Sequence, residues 1–160
     1  MTFCWPLESV LSMLSNAEIL RQWLRTCPAI IQSSKFGLDY LSDQPDEYAV
    51  FTVPSSISAR ENIWGELILD DIQTENFIFA SKENYSPSAA QNSTNLVLHQ
   101  MVIGWILEQN NAGNFPKWNG TILSIVPTLT AAPVQIGSSV AKYQIQLKVT
   151  YRRGEDNGKD

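Results

Sequence analysis

Strict alternation of apolar and polar residues marks the C-terminal part of the chain. Residues 143–151 read Tyr-Gln-Ile-Gln-Leu-Lys-Val-Thr-Tyr, with an apolar residue at every odd position. Because successive side chains of a strand point to opposite faces of a sheet, this pattern predicts a half-buried β-strand. One-sided burial favours an antiparallel sheet and argues against the doubly wound parallel sheets of many nucleotide-dependent enzymes.

A first helix is predicted over residues 8–26, where apolar residues recur at spacings of three and four. Ser15 and Glu18 have the spacing of a capping box, so a helix is expected to restart there after a short N-terminal one. Pro28 ends this helical region, because the residue before a proline is driven out of the helical conformation.

A second, longer helix is predicted to begin at Ser86, with Pro87 at its first position, and to run to about Asn110. Gly113 and Pro116 follow directly, as helix-ending residues do.

The apolar side chains of this second helix form two patches when they are projected at roughly 100° per residue. One patch contains Val97, Leu98, Met101, Val102, Trp105 and Ile106, and the other contains Leu96, Ile103 and Leu107. A helix that is apolar on most sides is buried on most sides. The helix is therefore expected to be a deep core helix or one shared with a neighbouring subunit, with Leu96, Ile103 and Leu107 as subunit-interface candidates.

Shorter apolar runs predict strands at residues 36–41, 48–53, 63–69, 76–81 and 121–129. The polar turn at residues 42–46 is expected to join the first two strands as a hairpin. Residues 54–61 are expected to form a loop. Residues 131–139 are expected to be a loose connection into the final strand, with which residues 121–129 should pair.

Strands that follow in pairs, together with few helices, predict an α+β protein. The expected fold is an antiparallel sheet of about four to six strands with two main helices packed on one face. Residues 1–16 are expected to form an N-terminal extension or short helix, residues 17–151 a single α+β domain, and residues 152–160 a disordered tail.

Composition narrows the functional classes. The 160 residues and a hydrophobic fraction of 44% suit one compact domain. A formal net charge of −5 disfavours a nucleic-acid binder that relies on phosphate neutralisation. The first residues lack the pattern of a secretion signal, and no stretch of 18 apolar residues occurs, so a soluble chain made in the cytoplasm is expected.

Candidate chemistry is sparse. Two cysteines and one histidine are too few for a structural zinc site. His99 is the only histidine base for a serine or cysteine nucleophile, and its place inside the long helix favours a structural role. Cys27 follows a helix C-terminus, where the helix dipole disfavours a thiolate. No catalytic residue, metal ligand or cofactor is predicted, and we expect a protein that is not an enzyme.

Five tryptophans are many for a domain of this size. Trp23 and Trp105 lie in the predicted helices, where they are expected to fill core volume. Trp64, beside Leu67 and Leu69, is instead a candidate for a subunit interface, because exposed tryptophan is enriched at interfaces.

Five segments of the chain resemble segments of a known protein family, and they occur in the same order and at similar spacing. They are residues 17–28, 38–41, 77–81, 105–110 (followed by Gly113 and Pro116) and 141–146. Together they resemble the tail terminators of phages and prophages of Gram-positive bacteria. Residues 1–16 and 63–73 depart from the family pattern.

The resemblance implies a structural phage tail protein that caps the tail tube as a homo-oligomeric ring, typically a hexamer, and gives the head its docking surface. Its partners would be the tail tube protein and the head–tail connector. DNA would pass through without specific binding, with no membrane or cofactor involved. The protein would be located in the virion tail after assembly in the host bacterial cytoplasm.

Net negative charge, repeated around such a ring, would repel passing DNA. Asp43, Asp46 and Glu47 lie at a polar turn, where acidic residues are usually solvated. In a ring they are candidates to face the lumen or an end of the ring. The alternatives are another head–tail connector or minor capsid protein and, from a different class, a small ligand-binding or enzymatic α+β domain with an apolar pocket under the sheet.

Overall fold

A computed structural model describes residues 14–31 and 34–154, which form two helices and seven strands. The helices are α1 (Asn16–Leu24) and α2 (Ala89–Ala112). The strands are β1 (Phe36–Leu38), β2 (Glu47–Thr52), β3 (Ala59–Glu61), β4 (Leu67–Leu69), β5 (Ile72–Asn84), β6 (Gly120–Ile136) and β7 (Val140–Arg153). The predictions for residues 1–13 and 155–160 lie outside the described residues, whereas Arg152 and Arg153 of the predicted disordered tail belong to β7 because they pair with neighbouring strands.

The main sheet has five strands in the order β1-β2-β5-β7-β6, and β3 and β4 form a separate two-stranded sheet. Both helices pack on the same face of the main sheet, and the hydrophobic core lies between them. The predicted α+β class, with two helices on one face of a sheet, is therefore confirmed.

The alternating strand is confirmed as β7, which pairs antiparallel with β5 on one side and β6 on the other. Its odd residues Tyr143, Ile145 and Leu147 are almost completely buried against the helices. Its even residues point to the opposite face of the sheet, which we call the outer face. Within the described part of the chain, no helix packs on the outer face.

The predicted hairpin of residues 36–41 and 48–53 is wrong, because β1 and β2 pair in parallel. Parallel neighbours usually need a connection of a dozen residues or more, but β1 has only three residues. The eight residues between the strands are therefore enough to return the chain to the start of β1. Asp39 and Asp46 take left-handed φ angles of 55° and 61° in this connection, a conformation that Asp tolerates better than most residues.

Two element boundaries also differ from the predictions. Residues 59–61 of the predicted loop form β3, because their backbone pairs antiparallel with β4. This pair of strands is separate from the main sheet. β6 continues to Ile136 through residues 131–136 of the predicted loose connection. Its Pro127 and Pro133 obscure the strand in the sequence, yet both are tolerated because β6 is an edge strand with several bulges.

The helix ends explain where the chain turns. The Ser15 hydroxyl accepts a hydrogen bond of 3.1 Å from the Glu18 N–H, so the predicted restart of a helix at this position is confirmed. The N-cap of α2 is Ser88 rather than the predicted Ser86. Gly113 ends α2 in the left-handed conformation, with φ of 72°, as predicted.

The core holds the helices in place with large aliphatic side chains. Leu20 and Leu24 of α1, and Val102 and Ile106 of α2, have no exposed surface. Each such side chain contributes about 1.5–3 kcal/mol by leaving water. Neither of the helices in the described ranges is both long and apolar enough to cross a membrane.

Candidate functional site

The most exposed apolar surface belongs to the segment formed by residues 57–71, which we call the arm. It contains β3 and β4, and all of the paired residues in these two strands are exposed. Asn62 closes the turn between them, because its Oδ1 accepts hydrogen bonds of 2.9 Å from the N–H groups of Trp64 and Glu66. Gly65 takes a left-handed φ of 82° in the same turn. The tip of the arm therefore has a defined conformation.

The base of the arm is fixed by the side chain of Gln73, which is buried. Its Oε1 accepts a hydrogen bond of 2.9 Å from the Ser58 N–H, and its Nε2 donates to the carbonyl oxygens of Ser58 (2.7 Å) and Asp70 (2.8 Å). Arg153 of β7 also donates to the Leu69 carbonyl at 3.1 Å. An isolated two-stranded hairpin is marginally stable in water, so these bonds account for the order of the arm.

Three predicted interface candidates, Trp64, Leu67 and Leu69, lie together on this arm. Trp64 is 77% exposed, Leu67 is 76% exposed, and the neighbouring Ile63 is 89% exposed. Exposed apolar residues that cluster in this way are typical of protein interaction sites. The arm is thus one candidate contact surface.

The other three interface candidates lie on α2. Leu96 and Leu107 are exposed, whereas Ile103 is half-buried and packs against the core. The buried side of α2 consists of Asn95, His99, Val102 and Ile106. Val97 and Met101 are exposed as well, so the interpretation of α2 as a deep core helix is wrong. Trp105 packs on Trp23 of α1 with ring centroids 4.8 Å apart, and both rings are half-buried.

Gly104 lies in the middle of α2 with no atom within 4 Å of a Cβ built on it. A glycine inside a helix costs about 1 kcal/mol relative to alanine. It lines a groove of about 340 Å³ between α2 and the segment after α1, together with Pro28, Ala29, Met101 and Trp105. No contact within the described residues requires a glycine at this position.

The outer face of the main sheet carries positive charge although the whole chain is acidic. Lys82 of β5 and Lys142, Lys148 and Arg152 of β7 all belong to the alternate residues that point to this face. The outward-pointing residues of β5, β6 and β7 include no carboxylate, and the one on β2 is Glu47, which lies opposite Lys82, so positive charges outnumber negative ones on this face. The net charge of −5 therefore conceals a basic sheet face that the sequence analysis missed.

The acidic candidates Asp43, Asp46 and Glu47 lie close together at one end of β2. Asp43 is exposed and pairs with Lys82, with Nζ and Oδ1 3.3 Å apart. The Asp46 N–H donates to the Lys82 carbonyl at 2.7 Å, and Glu47 accepts a hydrogen bond from Ser42. Lys82 therefore offsets part of the negative charge of this group.

His99 lies in a buried polar cluster between α2 and the sheet. Its Nδ1 is 2.8 Å from the Asn95 carbonyl, which can only accept, so Nδ1 carries the proton. Its unprotonated Nε2 then accepts a hydrogen bond from the Ser81 hydroxyl, with Oγ and Nε2 2.8 Å apart. Burial lowers the pKa of His99, and the ring stacks on Tyr143 with centroids 5.3 Å apart.

A serine hydroxyl bonded to a histidine is also the arrangement of an activated nucleophile. Here both Ser81 and His99 are completely buried, so a substrate has no access to the hydroxyl in this conformation. The contacts of His99 agree with its expected structural role. Cys27 is completely buried too, and burial raises the pKa of its thiol.

Glu83 is the other ionisable member of this cluster. It is 5% exposed, and burial raises its pKa to about 7, with the charge of Asp46 adding to the effect. Its Oε1 and the nearby Tyr48 hydroxyl are buried without a hydrogen-bond partner. Within the residues that the structure describes, no three His, Cys, Asp or Glu side chains are placed to hold a metal ion.

Comparison of this chain with protein-family models, with curated proteins and with solved structures finds no match. The site is therefore argued from its own geometry. Two of its features escaped the sequence analysis: Gln73, which fixes the arm, and the basic outer face. Gln73 stands between Ile72 and Thr74 with no distinguishing pattern, whereas the outer face follows from the even positions of β7.

Proposed function

We propose that this protein is a structural subunit of a phage tail that caps the tail tube as a homo-oligomeric ring and provides the docking surface for the head. The observation that carries the proposal is the amount of apolar surface that the folded chain leaves exposed on the arm and on α2. A monomeric protein rarely exposes contiguous apolar patches of this kind unless they bind a partner.

Two further features support assembly over catalysis. Trp64 and Leu67 of the arm are each more than three-quarters exposed, whereas a small substrate is held in a pocket that buries most of its surface. The Ser81–His99 pair, which has the chemistry of a nucleophile, is buried. The phage tail assignment itself is supported by the five segments that resemble the tail terminators.

The proposal is tested by deleting the gene from the phage or prophage that carries it and examining particles by negative-stain electron microscopy. We expect free heads together with tail tubes that lack a capped end, and complete particles when the gene is supplied from a plasmid. Complete particles without the gene would refute the proposal. Capped tails that accumulate beside free heads would instead identify a connector that acts after the cap.

A second measurement tests ring formation directly. Mass photometry of the purified full chain, alone and after addition of tail tubes, should show a closed homo-oligomer in at least one of the two conditions. A protein that stays monomeric in both would also contradict the proposal.

A further inference from the structure

The arm is acidic as well as apolar. Residues 57–71 contain one arginine, Arg60, against four carboxylates, Glu61, Glu66, Asp70 and Asp71. Its exposed apolar side chains together present on the order of 500 Å² of surface, most of what one partner contributes to an interface of standard size. A surface that receives this arm should therefore be basic and should offer apolar contact.

The outer face of the same protein has both properties. One row of paired residues crosses four strands on this face and consists of Phe51, Ile78, Gln146 and Leu129. Three of these four are apolar, and Leu129 is largely exposed.

Cations lie on both sides of this row. Lys148 is two residues beyond Gln146 on the same face of β7, which is about 7 Å along the strand. On the other side, the Nζ of Lys142 lies 4.6 Å from the centre of the Phe51 ring. The row is therefore an apolar strip between positive charges.

From this complementarity we infer that the arm of one copy docks on the outer face of a second copy of the same chain. Ile63 and Trp64 pack on the apolar row, and Glu66 pairs with Lys148. The inference rests on the proposed assembly into a homo-oligomer and assigns the two surfaces that meet in it.

The charges also determine the symmetry of this contact. Two arms would repel each other, because each has an excess of carboxylates, and two outer faces would repel because each is basic. The favourable contact joins two different patches and is therefore head-to-tail. Such heterologous contacts generate closed rings when the rotation between neighbouring copies closes.

The apolar part of the contact is tested with Trp64→Ala in the full-length protein, by mass photometry and analytical ultracentrifugation. A buried tryptophan at an interface centre is typically a hot spot, so the dissociation constant between copies should rise on the order of 30-fold. The matched control is Tyr40→Ala, which removes an exposed aromatic side chain of the β1–β2 connection, outside the arm, the outer face and α2. Circular dichroism confirms that both variants are folded.

The charged part is tested by mixing two variants. Glu66→Lys places a lysine of the arm against Lys148, and Lys148→Glu places a glutamate of the sheet against Glu66, so each variant alone should assemble about tenfold more weakly. In an equal mixture, alternating copies restore an opposite-charge pair at every contact. We expect the mixture to recover the assembly of the wild type and the recovery to weaken with added salt.

The outcomes separate the two proposals. Assemblies that persist in Trp64→Ala and in both charge variants would overturn the arm contact and leave the proposed ring standing, as would dissociation by Tyr40→Ala alone. A mixture that assembles no better than either single variant would also overturn the contact. A wild-type chain that never assembles, with or without tail tubes, would overturn the ring and the arm contact together.

Discussion

Replacement of Glu83 by glutamine should remove a pH-dependent cost from the folded protein. The carboxyl group is buried on β5, and its pKa is raised from 4.5 to about 7 mainly by burial. Between these two pH values the folded protein binds a proton that the unfolded chain has released. Folding is therefore less favourable as the pH rises through this window, because the carboxyl ionises freely in the unfolded chain but stays protonated in the folded protein; above about pH 7 the cost is constant.

The size of the effect follows from the two pKa values. They differ by about 2.5, and one pKa unit corresponds to 1.36 kcal/mol, so ionised Glu83 costs the folded state about 3 kcal/mol at high pH. Glutamine stays neutral at every pH. The variant should gain about 2.5 kcal/mol in unfolding free energy relative to the wild type between pH 5 and pH 9.

His99 changes stability in the opposite sense, so the difference between variants is the quantity to measure. Burial lowers the pKa of His99, and the stability from its neutral form is lost as the pH falls below its usual value. This contribution is present in both proteins and cancels in the difference.

The assay is urea unfolding followed by tryptophan fluorescence at pH 5, 6, 7, 8 and 9. Glu61→Gln, which removes an exposed carboxylate of β3, is the control for the loss of a negative charge. If the difference between Glu83→Gln and the wild type stays constant within about 0.5 kcal/mol over this range, the reasoning from burial is refuted.

Three other substitutions test the local structure. Ser15→Ala removes the N-cap of α1 and should lower the unfolding free energy by about 1 kcal/mol in urea titrations; no change would show that the cap is dispensable. Gly104→Ala should raise it by up to about 1 kcal/mol, since nothing lies within 4 Å of the new Cβ. A loss of stability in the monomer would show that the alanine methyl group does not fit at this position. Gln73→Ala should loosen the arm, so that hydrogen exchange at residues 59–69 becomes faster while β7 stays protected. Equal acceleration in both segments would indicate global destabilisation instead.

The sequence predicts those elements in which the pattern of apolar and polar residues shows directly which side chains are buried. Tyr143, Ile145 and Leu147 alternate with polar residues because one face of β7 meets the core and the other meets water. The N-cap at Ser15 and the stop at Gly113 were predictable because capping is a local interaction between residues three or four apart.

Partner choice and exposure are not local properties, and the sequence analysis missed them. The parallel pairing of β1 with β2 depends on the left-handed backbone at Asp39 and Asp46, which no periodicity reveals. The apolar pattern of α2 predicts burial on most sides, yet the single chain covers only one of them. In the arm, the position of β3 and β4 outside the main sheet leaves Trp64 exposed, which its prediction as an interface candidate requires but which no local pattern determines.

The edges of the main sheet make strand addition a poor route to assembly. β1, at one edge, has only three residues, and β6, at the other, contains Pro127, Pro133 and four register shifts. Short strands, prolines and bulges prevent a second sheet from adding its strands at an edge. The proposed assembly would then use side-chain surfaces such as the apolar arm and the basic outer face. A contact of this kind should weaken when single side chains are changed and when salt is added, whereas strand addition, which is held by backbone hydrogen bonds, should tolerate both.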